Sequence, residues 1–249
     1  MRNKSILITG AASGLGEQLA LEARARGYDL YLVDNSPKIT DVAAKINAKY
    51  LIADLSDRRS LDEIAEWARN AEIIINNAGI AKKEVFHKMS TLDAERVVAV
   101  NILAPMILSR IYLERFYKSG SGAIINISSS ASYFPTPQMA PYGASKAWLN
   151  AFTESLFIEV KSFPKIKILA ICPSGMNTDF QQSSGVKRDY SELLLNPVIV
   201  AKRIFNDIEK GRSGIRNYGT MTHLFKILRS FLPAKIYLRL IGYLINRYR

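Results

Sequence analysis

Tyr142 and Lys146 stand four residues apart in the run Pro141-Tyr142-Gly143-Ala144-Ser145-Lys146-Ala147. Trp148-Leu149-Asn150-Ala151-Phe152 continues that run with helical apolar periodicity. On a helix beginning near Tyr142, the phenol and the ammonium share one face. A free tyrosine has a pKa of about 10, too high to exchange protons readily at neutral pH. A fixed positive charge nearby favours the phenolate and lowers that value. The pair therefore suits general acid/base chemistry on a carbinol or carbonyl oxygen. A half-buried tyrosine beside a solvated lysine gives the same spacing, so its meaning rests on the residues around it.

Other chemistries find little support. The two histidines, His87 and His223, are far apart and lack ligand spacing, which disfavours a zinc site or a Ser-His-Asp triad, and no metal site is expected. No Gly-x-Ser-x-Gly nucleophile elbow occurs. The single cysteine, Cys172, leaves no intrachain disulfide framework and suits a reducing, cytoplasmic setting. The apolar run after Met1-Arg2-Asn3-Lys4 is too short for a signal-peptide core and reads as a first strand. No segment reaches the roughly 18 uninterrupted apolar residues of a membrane span.

The elements that would position the pair alternate along the chain. Strands are expected at Lys4–Thr9, Asp29–Val33, Tyr50–Ala53, Glu72–Asn76, Ala123–Ser128 and Ile166–Cys172. Helices are expected at Gly14–Arg26, Thr40–Ala48, Arg58–Asn70 and about Thr91–Tyr117, then from Tyr142, and at Pro197–Lys210. Gly214–Tyr218 reads as a last edge strand. Strands apolar throughout, such as Ile73-Ile74-Ile75, imply burial on both faces. The pattern predicts an α/β fold: a Rossmann-type doubly wound parallel sheet in a single domain over residues 1–218. Residues 219–249 form a basic amphipathic helical C-terminal tail.

Between the first strand and helix lies Thr9-Gly10-Ala11-Ala12-Ser13-Gly14-Leu15-Gly16. Its glycines permit a tight turn, close approach of a pyrophosphate to backbone N–H groups, and packing of helix on sheet. The helix N-terminus adds oriented donors and a partial positive charge. Asp34 ends the second strand, where a carboxylate can accept from an adenosine ribose and repel a 2′-phosphate. Ser13, Asn35 and Ser36 offer no cation, so NAD is favoured, while the nearby Lys38 keeps NADP open.

These motifs in this order resemble the short-chain dehydrogenase/reductase family over roughly residues 4–210. The turn from Thr9 to Gly16 is similar to the family's Thr-Gly-x-x-x-Gly-x-Gly, bringing Gly10, Ser13, Gly14, Leu15 and Gly16 to the cofactor. The resemblance implies that Asp54 and Leu55 contact adenine, and that Asn77, Ala78 and Gly79 belong to the Asn-Asn-Ala-Gly segment. It also implies that Tyr142 exchanges the substrate proton, and that Lys146 lowers its pKa and binds the nicotinamide ribose, with Tyr142 beside the cofactor. Ser129 would hold the substrate oxygen, 13 residues before Tyr142, with Ser128 and Ser130 as register alternatives. Asn101 would hold a water that relays the proton from Lys146, against the plainer reading of a helix-interior Asn bonding to backbone. After the sixth strand the family has Pro-Gly-x-x-x-Thr, whereas Ser174 follows Pro173 here. Thr178 keeps its place for the carboxamide, and Gly175 is expected to absorb the backbone strain.

Asp179–Leu195 would be the lid over the substrate, with Phe134, Pro135 and Met139 as another wall. The net charge of +12 is concentrated at the end of the chain: Gly211–Arg249 holds eight Lys/Arg and no Asp/Glu. Thr222–Leu232 and Ala234–Tyr248 read as amphipathic helices broken at Pro233. Such helices can lie in an anionic membrane interface on the cytoplasmic face, through residues 222–249. The plainer alternatives are a cap on the domain or a homo-oligomer contact; nucleic acid is disfavoured for want of a binding motif.

The expected activity is NAD(P)-dependent hydride exchange with a small-molecule alcohol or carbonyl substrate. The rivals are a cofactor-binding sensor or scaffold without turnover, and a sugar-nucleotide epimerase or dehydratase. The short chain and lack of an extra substrate domain disfavour the latter.

Overall fold

The computed structural model of the chain describes residues 4–176 and 194–247. In chain order its elements are β1 (Ser5–Thr9), α1 (Gly14–Ala25), β2 (Asp29–Asp34), α2 (Ile39–Ile46), β3 (Lys49–Ile52) and α3 (Arg58–Trp67). β4 (Ile73–Asn76), α4 (Thr91–Val98), α5 (Ala104–Ser119), β5 (Gly122–Ile127) and α6 (Ala140–Glu159) follow. The chain continues through β6 (Ile166–Pro173), α7 (Pro197–Glu209), β7 (Gly214–Tyr218), α8 (Thr220–Phe231) and α9 (Ala234–Arg247).

The strands form one seven-stranded sheet in the order β3-β2-β1-β4-β5-β6-β7, and every described pairing is parallel. Alternate side chains face opposite layers. Ile6, Ile8, Ile73, Ile75 and Leu169 enter a core shared with residues of α1, α2 and α7. Leu7, Ile74, Ile124 and Ile168 enter the other, with residues of α3 and α5. Burial on both faces is why these strands read as unbroken apolar runs.

Local signals set the helix ends. Asp57 accepts from the backbone N–H groups of Arg59 and Ser60 and so caps α3. Asn196 caps α7 through the Val198 N–H, with Pro197 at its first position. Gly120 closes α5 in the left-handed region, at φ 73°.

Two details depart from expectation. The long helix expected at Thr91–Tyr117 contains a π-turn at Ala99–Leu103, centred on Asn101. Thr91–Ser119 is also long and apolar enough by composition to cross a membrane, although its apolar runs are interrupted well short of the roughly 18 residues of a span. Half of its most apolar window is buried, with Leu108, Tyr112, Leu113 and Phe116 in the core.

The chain winds outward from β1 to β3, then returns to β4 and winds the other way to β7. The reversal leaves a crevice beyond the carboxyl ends of β1 and β4.

Candidate active site

The crevice is a cleft of roughly 520 Å³, reaching from Asp34 and Asp54 at one end to Phe134, Tyr142 and Met176 at the other. At its centre two loops are laced together. The Thr9 hydroxyl oxygen accepts from the backbone N–H groups of Asn77 and Ala78, both at 3.1 Å. Asn77 Nδ2 donates back to the carbonyls of Thr9 (2.9 Å) and Gly10 (3.0 Å). Gly10, at φ 67°, lies so close to this segment that a Cβ would sit 2.7 Å from Ala78 Cα. A Cβ on Gly16 would collide with the Gly10 carbonyl. These approaches require glycine.

Ser13, Gly14, Leu15 and Gly16 also line the cleft at the start of α1. Ser13 occupies the N-cap without bonding its side chain to the first turn, so α1 presents unpaired N–H groups there. Asp34 Oδ2 accepts from the Ala12 N–H and Oδ1 from the Ser36 N–H, each at 2.9 Å, fixing the carboxylate at the cleft wall. Asp54 and Leu55 line the same end, where Asp54 accepts from Ser56 and lies 3.6 Å from Arg96. A tight glycine cradle, a bare helix N-terminus and a carboxylate at the end of β2 together fit a dinucleotide.

At the other end, Lys146 is buried, with its Nζ donating to the Ile127 carbonyl at 2.8 Å. It lies 5.8 Å from the Tyr142 ring centroid, and both residues line the cleft. Burial pushes the Lys146 ammonium down to about 8, so it remains charged at neutral pH. The sequence alternative of a solvated lysine does not apply.

Three serines follow β5, and their hydroxyls differ in use. Ser128 is buried and donates to the Lys146 carbonyl. Ser129 accepts from the Ala131 N–H at 3.1 Å, which leaves its own hydroxyl hydrogen to donate into the cleft it lines. Ser130 lines the cleft at the start of a 3-10 turn, Ser130–Ser132. Beneath this turn, Ser132 donates to the Ser129 carbonyl and accepts from Asn150, which in turn accepts from the Cys172 thiol.

Asn101 is buried, and its side chain is taken up by the protein. Its Oδ1 accepts from the Ile80 N–H and its Nδ2 donates to the Ile80 carbonyl and to Ser145 Oγ. Both amide hydrogens are thus engaged, so the side chain clamps the Ile80 backbone to Ser145.

Around β6 the substitution of Ser174 is accommodated elsewhere than expected. Gly175 does not adopt a positive φ; Gly219 does, at 95°, and a Cβ on it would collide with the Ser174 side chain. Pro173, Ser174, Gly175 and Met176 line the cleft, and Met176 forms a bridge to Leu195. Thr178 and most of the expected lid, Asp179–Leu195, lie outside the described residues. Of the expected wall, Phe134 and Met139 line the cleft, joined by Thr136.

Arg96, Ser145 and Thr136 escaped the sequence reading. Arg96 gains its place through Asp54 and Ser145 through Asn101, both distant in sequence, whereas Thr136 bonds locally to the Met139 carbonyl. Only Ser145, standing between Tyr142 and Lys146, carried a positional hint.

The family model described as short chain dehydrogenase matches residues 4–189. A protein of Arabidopsis thaliana named 11-beta-hydroxysteroid dehydrogenase-like 3 is 29% identical over 244 residues, covering 92% of this chain and 78% of its own. A solved short-chain dehydrogenase from Sphingobium yanoikuyae in complex with NADPH has a TM-score of 0.80 at 27% identity, covering 86% of this chain and 87% of that one. A 3-ketoacyl-(acyl-carrier-protein) reductase from Brucella melitensis complexed with NADH also gives 0.80, at 26% identity and with coverage of 87% and 96%. The chain belongs to the short-chain dehydrogenase family. It is an NAD(P)-dependent dehydrogenase/reductase.

Proposed function

We propose that this enzyme oxidises an alcohol or reduces a carbonyl compound with NAD, using Tyr142 as the general acid/base. A nicotinamide cofactor supplies or accepts the hydride when bound. The glycine turn from Gly10 to Gly16 and the N-terminus of α1 would hold its phosphates, with Asn77, Ala78 and Gly79 behind them. Asp34 would accept from the ribose hydroxyls, which is the ground for NAD over NADP. Asp54 and Leu55 would border the adenine, and Pro173 and Thr178 the nicotinamide.

Ser129 holds the substrate oxygen through its hydroxyl. Tyr142 gives that oxygen a proton in reduction and removes one in oxidation. The Lys146 charge favours the phenolate and so eases both transfers. Asn101 and Ser145 are positioning residues that hold Ile80 and the first turn of α6.

The observation that carries this reading is the opening of Tyr142, Lys146 and Ser129 into the same cleft as the Gly10 turn. A panel of alcohols and carbonyls tested with NADH and NADPH examines it. Tyr142→Phe should lower turnover roughly 100- to 10,000-fold while cofactor binding persists. Full activity in that variant would refute the assigned role. Cofactor binding without turnover on any substrate would favour the sensor alternative.

A further inference from the structure

Helix α8 carries two apolar faces, and the domain uses only one. Inward, Phe225 packs on Phe134 with ring centroids 4.4 Å apart, and buried Thr222 donates to the Tyr218 carbonyl. Outward, Met221, Leu224, Ile227 and Phe231 recur at helical spacing along one stripe. All four are exposed, and Phe231 keeps 81% of its surface open.

Helix α9 extends the same arrangement. Tyr237 and Ile241 are buried, and the Tyr237 hydroxyl donates to the Tyr133 carbonyl at 2.7 Å. Ile236 and Tyr243 stay exposed. The tail is therefore seated on the domain by one side alone. Lys226, Arg229, Lys235 and Arg239 are all exposed, and no carboxylate side chain occurs anywhere in Gly211–Arg249 to balance them.

We propose that the outward stripe of α8, with the cations of α8 and α9, docks the protein on an anionic lipid membrane. The occupant of this face must be apolar where it meets the stripe, and the exposed cations of the two helices favour one that carries negative charge. A lipid interface supplies both, as acyl chains beneath anionic headgroups. A second copy of the same face would instead oppose like charges, which disfavours self-association there. This docking does not depend on the assigned chemistry of Tyr142.

The test is co-sedimentation of the full chain with phosphatidylcholine vesicles, with and without phosphatidylserine. Ile227→Ser/Phe231→Ser and Lys226→Gln/Lys235→Gln change only exposed side chains, and unchanged thermal melting shows that each remains folded. The expected result is binding to the phosphatidylserine vesicles, weakened by salt and lowered roughly tenfold in each double variant. The proposal fails if the parent does not bind those vesicles, or if the variants bind as it does. It also fails if the apolar variant loses oligomers in light scattering while keeping its vesicle binding.

Discussion

Asn101 and Ser145 are joined across the interior, Nδ2 to Oγ at 3.0 Å, and Ser145 in turn donates to the Tyr142 carbonyl at 2.7 Å. Because Asn101 also holds both backbone groups of Ile80, one side chain ties the loop after β4 to the first turn of α6. The π-turn at Ala99–Leu103 surrounds this Asn. The Ile80 side and the Tyr142 side of the cleft thereby share a support.

Asn101→Ala should remove that support and strand several buried polar groups. Each group left unpaired costs about 1–3 kcal/mol. Denaturant unfolding should show a loss in that range or above. In the folded variant, kcat should fall more than cofactor affinity. A variant with unaltered kcat would deny Asn101 its positioning role.

Lys146 gives a pH signature. Its folded pKa is about 8, against an ordinary 10.5, so the penalty for burying its charge is fully present below pH 8. Between these values the unfolded chain binds more protons than the folded one, and stability rises with pH. Relative to Lys146→Met, the wild type should gain roughly 3 kcal/mol across that window. Parallel unfolding free energies for the two proteins would contradict the buried charge.

Asp34→Ser tests the choice of cofactor. Removing the carboxylate eliminates a ribose acceptor and the repulsion of a 2′-phosphate. The ratio of kcat/KM for NADPH to that for NADH should rise by roughly tenfold or more. A ratio that stays put would show that Asp34 does not set the preference.

Two glycine replacements should act in opposite directions. Gly16→Ala drives a methyl into the Gly10 carbonyl, and overpacking of this kind costs about 1–3 kcal/mol or more. Cofactor affinity should fall with it. Gly242, inside α9, has open space around its missing Cβ, so Gly242→Ala should stabilise by roughly 0.4–1 kcal/mol. Thermal melting of both variants checks the pair.

The order of strands and helices was legible because burial on both faces leaves unbroken apolar runs and because glycine turns punctuate them. Its stated ends lie within three residues of those in the fold. That Tyr142, Lys146 and the Gly10 turn line one cleft was to be expected from particular residue types at short spacing. The π-turn at Asn101 was not, since it is a local detail of the helix whose central side chain bonds to distant Ile80 and Ser145. The pairing of Arg96 with Asp54 likewise joins residues from separate elements. The relief for Ser174 was sought at its neighbour Gly175 and lies at Gly219, which only the β6–β7 pairing brings close.

Thr9 and Asn77 form a seam. Their reciprocal bonds cross from the end of β1 to the end of β4, at the place where the sheet reverses its winding. Those strand ends cannot part without breaking several hydrogen bonds together, so the seam is unsuited to act as a hinge. Motion that admits or releases molecules therefore leaves this junction in place, and the seam acts as a fixed anvil beneath the cleft.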